Sequence, residues 1–205
     1  MIYTYKQLKK DFNKIDINKV KKFISFLLKK NETMNLTAIK KKDMLEKHIY
    51  DSLLITKVFD FSNKCILDVG SGGGFPGIPL AILYKNANFT LIDSINKKAK
   101  YLEEAINYLE LKNVKVICNR VEKINNKYDV IISRALAKLN KIILLTKHLI
   151  NSNNILITLK GKNAFCELDD SKKILKKENI DLKLVQNENL PNNDKRINFI
   201  FKKIK

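Results

Sequence analysis

The residues with the most chemical consequence run from Asp68 to Gly77, Asp68-Val69-Gly70-Ser71-Gly72-Gly73-Gly74-Phe75-Pro76-Gly77. Glycines at Gly70, Gly72 and Gly74 allow a sharp backbone turn and let a ligand approach with no Cβ in the way. Asp93 follows Gly74 by nineteen residues, where a carboxylate can accept hydrogen bonds from both hydroxyls of a ribose. Two ligand classes fit. Gly72 to Gly77 matches the GxGxxG turn that seats a dinucleotide pyrophosphate on a helix N-terminus. Asp68 to Gly74 matches the acidic-x-GxGxG turn of enzymes that use S-adenosylmethionine, a donor with no phosphate, a cationic sulfonium and an amino acid end. An acid two residues before the first glycine suits that donor and repels a pyrophosphate. S-adenosylmethionine is therefore the expected cofactor, with an NAD-dependent oxidoreductase as the alternative. Gly161-Lys162 lacks the upstream glycine and following Ser/Thr of an NTPase phosphate loop.

These groups need a scaffold that brings strand ends together, and the pattern of apolar runs predicts one. Residues 65–69, 89–93, 114–118, 128–133 and 155–159 read as buried strands, separated by helical periodicities. Leu102, Ala105, Ile106 and Leu109 mark one helix; Leu139, Ile142, Ile143 and Leu149 mark another, and residues 165–177 a third. A further helix starts near Pro76, whose fixed φ suits a first turn. Residues 182–186 and 197–201 are the last two strands, and the short link between them implies an antiparallel final strand. The expected fold is α/β: a doubly wound, mostly parallel seven-stranded sheet with helices on both faces. Before it, Val20, Phe23, Ile24, Leu27 and Leu28 define one buried helical face. Asp43 and Glu46 resemble a cap opening a second helix through about Val58. The organisation expected is a helical extension over 1–60 packed on a core over 61–205, one structural unit overall.

Composition sets the bounds. With 45% apolar and 30% charged residues, the 205-residue chain is no disordered or collagen-like polymer. No apolar run approaches the roughly 18 residues of a membrane span, and the stretch from Met1 to Lys6 lacks the apolar core of a secretory signal. Cys65, Cys118 and Cys166 form no CxxC pair and read as small buried thiols in a reducing compartment. Only two histidines, His48 and His148, argue against zinc. A cytoplasmic protein without a structural metal is expected. A net charge of +19 points to a polyanionic partner, although Lys, Asn and Ile are the residues an AT-rich genome over-uses. That bias does not favour Arg, so Arg120, Arg134 and Arg196 are informative out of proportion to their number.

With these pieces placed, the chain resembles the RsmG (also called GidB) family of small-subunit ribosomal RNA guanine-N7 methyltransferases. The likeness runs from about residue 20 to about 165. Its pieces are Asn35-Leu36-Thr37, His48-Ile49-Tyr50-Asp51-Ser52-Leu53, the string from Leu67 through Gly77 to Ala81, Leu91-Ile92-Asp93-Ser94, Arg120-Val121-Glu122, Ser133-Arg134-Ala135 and Lys160-Gly161. The first twenty and last forty residues carry little of it. The resemblance implies a Rossmann-like class I methyltransferase fold, with S-adenosylmethionine held at Gly70, Phe75, Val121, Glu122 and Arg134. It also implies ribosomal RNA, or a ribosomal particle, as partner; a monomer is expected. Guanine N7 carries a free lone pair, so no indispensable general base is expected.

Arg134 is the best candidate for holding the donor or the O6 edge of a guanine; the alternative is pairing with a carboxylate near the sheet edge. Asp68 acts either near the donor's ammonium group or solely in stabilising the glycine turn. His48 and Asp51 share a helix face, lining the mouth of the site or packed between the N-terminal helices and the sheet. Asn35 is a loop contact or a turn former. The lysine clusters 40–42, 97–98 and 172–173 are solvated faces individually and a phosphate-binding surface collectively. A non-catalytic RNA-binding protein on the same fold is the third reading.

Overall fold

Seven apolar runs become seven strands: β1 (Cys65–Val69), β2 (Asn88–Asp93), β3 (Val114–Cys118), β4 (Val130–Arg134), β5 (Ile155–Lys160), β6 (Ile180–Asn189) and β7 (Lys195–Lys203). The computed structural model describes residues 3–204; Met1, Ile2 and Lys205 lie outside it, including the start of the N-terminal stretch read above. One sheet results, in the order β3-β2-β1-β4-β5-β7-β6. Pairings are parallel from β3 through β5, and β7 runs antiparallel to both β5 and β6. The five residues between β6 and β7 leave no room for a helical crossover, so the chain reverses in a hairpin. β6 is longer than its apolar signal, because Asn187, Glu188 and Asn189 pair with Ile197, Arg196 and Lys195.

Six further elements pack on this sheet: α1 (Tyr5–Asp11), α2 (Ile17–Met34), α4 (Gly77–Leu83), α5 (Asn96–Tyr108), α6 (Leu139–Thr146) and α7 (Ala164–Lys177), with a short α3 (Asp51–Leu53) before β1. Asp16 caps α2 through the Lys19 amide, and Asn35 ends it in the left-handed conformation (φ 49°). That gives Asn35 its turn-forming role. Leu8, Val20, Phe23, Leu27, Ile49 and Leu53 share one core with Ile66, Ile78 and Phe89 on one sheet face. The other face buries Leu67, Ile92, Ile131 and Phe201 beneath α6, which contributes Ile143, and α7. Each such side chain contributes roughly 1.5–3 kcal/mol by leaving water, so the strand ends are held on a rigid base. Among the described residues no helix is long and apolar enough to cross a membrane.

Three expectations change. The segment from Lys41 to Lys57 is helical, but neither Asp43 nor Glu46 caps it. It winds as a 3₁₀ turn (Lys41–Asp43), a π-helical turn (Leu45–Tyr50), α3, and a second 3₁₀ turn (Leu54–Lys57). Glu46 instead accepts the Asn192 amide from the β6–β7 hairpin, a long-range partner that local spacing cannot reveal. Leu149 lies beyond the end of α6, buried in the following turn. The three cysteines are free and exposed, not buried. Cys65 opens β1 and Cys118 ends β3, so the apolar runs beside them are not a guide to their burial, and Cys166 is exposed in the polar stretch of α7.

Gly77 opens α4 directly against β2. A Cβ there would meet Leu91 Cδ2, and Asp68 Oδ2 at 2.7 Å. Replacing it with alanine is expected to cost about 2 kcal/mol, read as a lowered midpoint of chemical denaturation. An unchanged midpoint would contradict this packing.

Candidate active site

β1 lies between β2 and β4, so the crossover from β1 leaves toward one edge of the sheet and the return through β4 toward the other. Open α/β sheets bind ligands at such a switch point, beyond the carboxyl ends of the strands. A cleft of about 520 Å³ opens there, lined by Gly70, Gly72, Asp93, Val121, Glu122 and Arg134. Phe75 also lines it. Gly74 does not: it faces inward, where a Cβ would meet Ile78 Cδ1 at 2.5 Å and Phe23 Cζ at 3.3 Å. Leu36, named above only within a family string, and Leu136, not named at all, also line the cleft; a lone leucine carries no signal of a site. Leu136 lies over Gly70, 2.5 Å from where a Cβ would stand.

The turn's amides, Gly73 apart, are spent on the protein itself. Gly70 and Ser71 donate to Ile92 O (2.9 and 3.1 Å), and Gly74 and Phe75 donate to Ser71 O (2.7 and 3.1 Å). Gly72 donates to Asp93 Oδ2 (3.1 Å). At the start of α4, Gly77 donates to Asp68 Oδ2 (3.0 Å) and Ile78 to Gly74 O (2.9 Å). A dinucleotide turn needs free amides and a positive helix end facing the pyrophosphate. Here a carboxyl group occupies that end. Gly70, Gly72 and Gly74 all take positive φ (72°, 52° and 90°), the region in which glycine is at no disadvantage. At Gly72 a Cβ would meet nothing nearer than Gly70 O at 3.8 Å, so the missing side chain leaves open space beside the cleft.

Asp68 lies wholly buried under this turn, and its Oδ1 has no hydrogen-bond partner. Burial pushes its carboxyl up to about 7, against the lowering pull of the nearby Ser71 hydroxyl, the Gly77 hydrogen bond and the Arg134 charge. It is absent from the cleft lining, and it acts on the turn. Asp93 accepts from Gly72 N and from Ile95 N (2.9 Å), leaving acceptor capacity on a carboxylate at the cleft wall.

Arg134 ends β4 at this wall, and its guanidinium turns toward the π-helical turn. Nη1 donates to His48 O (3.2 Å) and Ser52 Oγ (3.0 Å); Nη2 donates to Lys47 O (2.7 Å) and His48 Nδ1 (3.1 Å) and pairs with Asp51 Oδ2 (3.0 Å). Asp51 Oδ1 also accepts from Arg196 Nε (2.9 Å) on β7. Two of the chain's three arginines thus meet at one buried carboxylate. Arg134 is paired to a carboxylate, but one from the N-terminal segment and not from the sheet edge, and it still lines the cleft. His48 stacks on Phe75, 4.1 Å between centroids and 9° between planes, and both line the cleft. Lys98 is at the cleft as well, whereas Lys97 binds Thr33 O and Lys172 pairs with Asp169.

The GidB family model, described as rRNA small subunit methyltransferase G, matches residues 16–198. The chain belongs to this family. It is 42% identical over 190 residues to ribosomal RNA small subunit methyltransferase G of Aster yellows witches'-broom phytoplasma, covering 89% of each chain. To the protein of that name from Mycoplasma capricolum it is 38% identical, covering 91% of this chain and 83% of the relative. A SAM-dependent methyltransferase from Aquifex aeolicus shares the fold, with a TM-score of 0.60 at 20% identity over 87% of this chain and 97% of that one. The expected fold class stands: a mostly parallel sheet closed by an antiparallel strand, as in SAM-dependent methyltransferases.

Proposed function

We propose that the chain transfers a methyl group from S-adenosylmethionine to N7 of a guanine in small-subunit (16S) ribosomal RNA. The glycine turn carries the donor assignment. All its amides but that of Gly73 are satisfied internally, a buried carboxyl group closes the helix end, and Asp93 stands at the wall. Such a site suits a donor with ribose hydroxyls and no phosphate. An NAD-dependent oxidoreductase is not favoured, and neither is a non-catalytic RNA-binding protein, because the family is one of methyltransferases.

When bound, the donor supplies an electrophilic methyl group on a sulfonium. Asp93 accepts the ribose hydroxyls, Gly72 leaves the approach open beside Gly70, which Leu136 covers, and Val121 and Glu122 form the wall beyond β3. Phe75 and Arg134 close the opposite wall, with Arg134 acting through the 47–52 segment that it holds. Because guanine N7 already exposes its lone pair, these residues need only orient the reactants, which can supply roughly 7–11 kcal/mol of barrier lowering. His48, with both ring nitrogens engaged, is in keeping with a site that uses no general base.

Transfer of a labelled methyl group to small-subunit RNA tests the reading. A valine at position 72 introduces a β-branched side chain at positive φ beside the cleft. Gly72→Val is expected to lower transfer at least about tenfold. Undiminished transfer would remove the assigned pocket. For the RNA partner, the +19 charge predicts that log affinity falls linearly with log salt, by about 0.7 per phosphate contact on single strands; a flat response disposes of the electrostatic surface. A ribosomal RNA substrate supports a cytoplasmic location. The monomeric state is read by sedimentation, where a dimer at working concentration would overturn it.

A further inference from the structure

His48 has no assigned task in the reaction described above, yet both of its ring nitrogens and one face of its ring are engaged in the cleft wall. Arg134 can only donate, so Nδ1 accepts from it (3.1 Å). The hydrogen-bond network therefore assigns the ring proton to Nε2, which lies 2.7 Å from Thr37 Oγ1. Thr37 Oγ1 in turn accepts the Ile39 amide (3.0 Å). The imidazole is thus tied to the segment after α2, to the end of β4 and to its own π-helical turn. Its flat face lies on Phe75 within the glycine turn, and Phe75 packs against Phe23 of α2 at 5.3 Å.

We propose that His48 is a positioning residue, a neutral plate that holds the Phe75 ring in place and so sets the shape of the cleft on the donor side. The proposal rests on the methyltransferase reading. The charged groups around the imidazole are Arg134 from β4, Asp51 one turn on, Arg196 across that carboxylate from β7, Asp68 beneath the turn, and Glu46 and Lys47 on its own segment. A proton added at Nδ1 would displace the Arg134 hydrogen bond and set two cations against each other. Burial and the Arg134 charge accordingly push the imidazole down to about 3. Across the working range it neither takes a proton from a substrate nor offers a charge to a phosphate.

Calorimetry with S-adenosylhomocysteine on wild type, His48→Ala, Phe75→Ala and the double variant tests the coupling. Each single change is expected to weaken binding about tenfold, and the double by little more than the worse single. His48→Phe, which keeps a plate and loses the hydrogen bonds, is expected to recover most of the loss. Nitrogen NMR on the wild type is expected to show a neutral, Nε2-protonated ring from pH 5 to 8, a measurement that needs no variant to fold and no ligand. Multiplying losses, a His48→Phe variant no better than His48→Ala, or an imidazolium at neutral pH would each overturn the proposal. A wild type that fails to bind S-adenosylhomocysteine while showing the neutral tautomer would overturn the methyltransferase reading instead.

Discussion

Asp51→Ala is expected to destabilise the protein by about 3–5 kcal/mol, because it leaves two guanidinium groups facing each other without their shared anion. The side chains of Arg134 and Arg196 are 13% and 20% exposed, so solvent screens little of the resulting repulsion. For a chain of this size the loss corresponds to a fall in Tm of about 10 °C. The consequence is not confined to stability. Asp51 ties the N-terminal segment to both β4 and β7, and the same segment carries His48 to Phe75. Cofactor affinity is therefore expected to fall along with Tm, measured by calorimetry below the new midpoint. A loss under 1 kcal/mol would show that the three charges are effectively solvated.

The largest pH effects are expected from Asp68 and His48, and they oppose each other. Asp68 has its carboxyl raised from the ordinary 3.8 to about 7, so between those values the folded state holds a proton that the unfolded state has released. Its contribution to stability therefore declines as pH rises through that window, by roughly 4 kcal/mol in all, and levels off above it. His48, lowered from 6.5 to about 3, does the reverse: stability is lost as pH falls from 6.5 toward 3, because only the unfolded imidazole gains a proton. In the wild type the two slopes largely cancel between pH 4 and 6.5. In Asp68→Asn the amide keeps an acceptor for the Gly77 N–H and carries no charge. Its advantage over wild type is expected to grow from near zero at pH 4 to about 2–4 kcal/mol at pH 8. The corresponding difference for His48→Gln slopes the other way. Denaturation curves collected across this range decide it, and difference curves that stay level with pH would refute both assignments.

The sheet and the glycine turn were legible because their signals are local. Short apolar runs between helical periodicities give the strands, and Gly70, Gly72, Gly74 and Asp93 stand at the spacing a turn and its acceptor require. The too-short link before the last strand fixed its antiparallel direction. The family string from Asn35 to Gly161 carried the donor and the substrate class. Tertiary structure alone decided which side chains face the ligand. Gly74 and Asp68 belong to the right motif, yet they turn inward to Ile78 and to the Gly77 amide. Arg134 stands at the right strand end, but its hydrogen bonds go to residues more than eighty positions earlier. The pairing of Asp51 with Arg196, the stacking of His48 on Phe75 and the closure by Leu36 and Leu136 join segments distant along the chain. Spacing along one element reports its own face and period; it holds no information on what another element brings to that face, and that meeting is where the walls of this cleft are made.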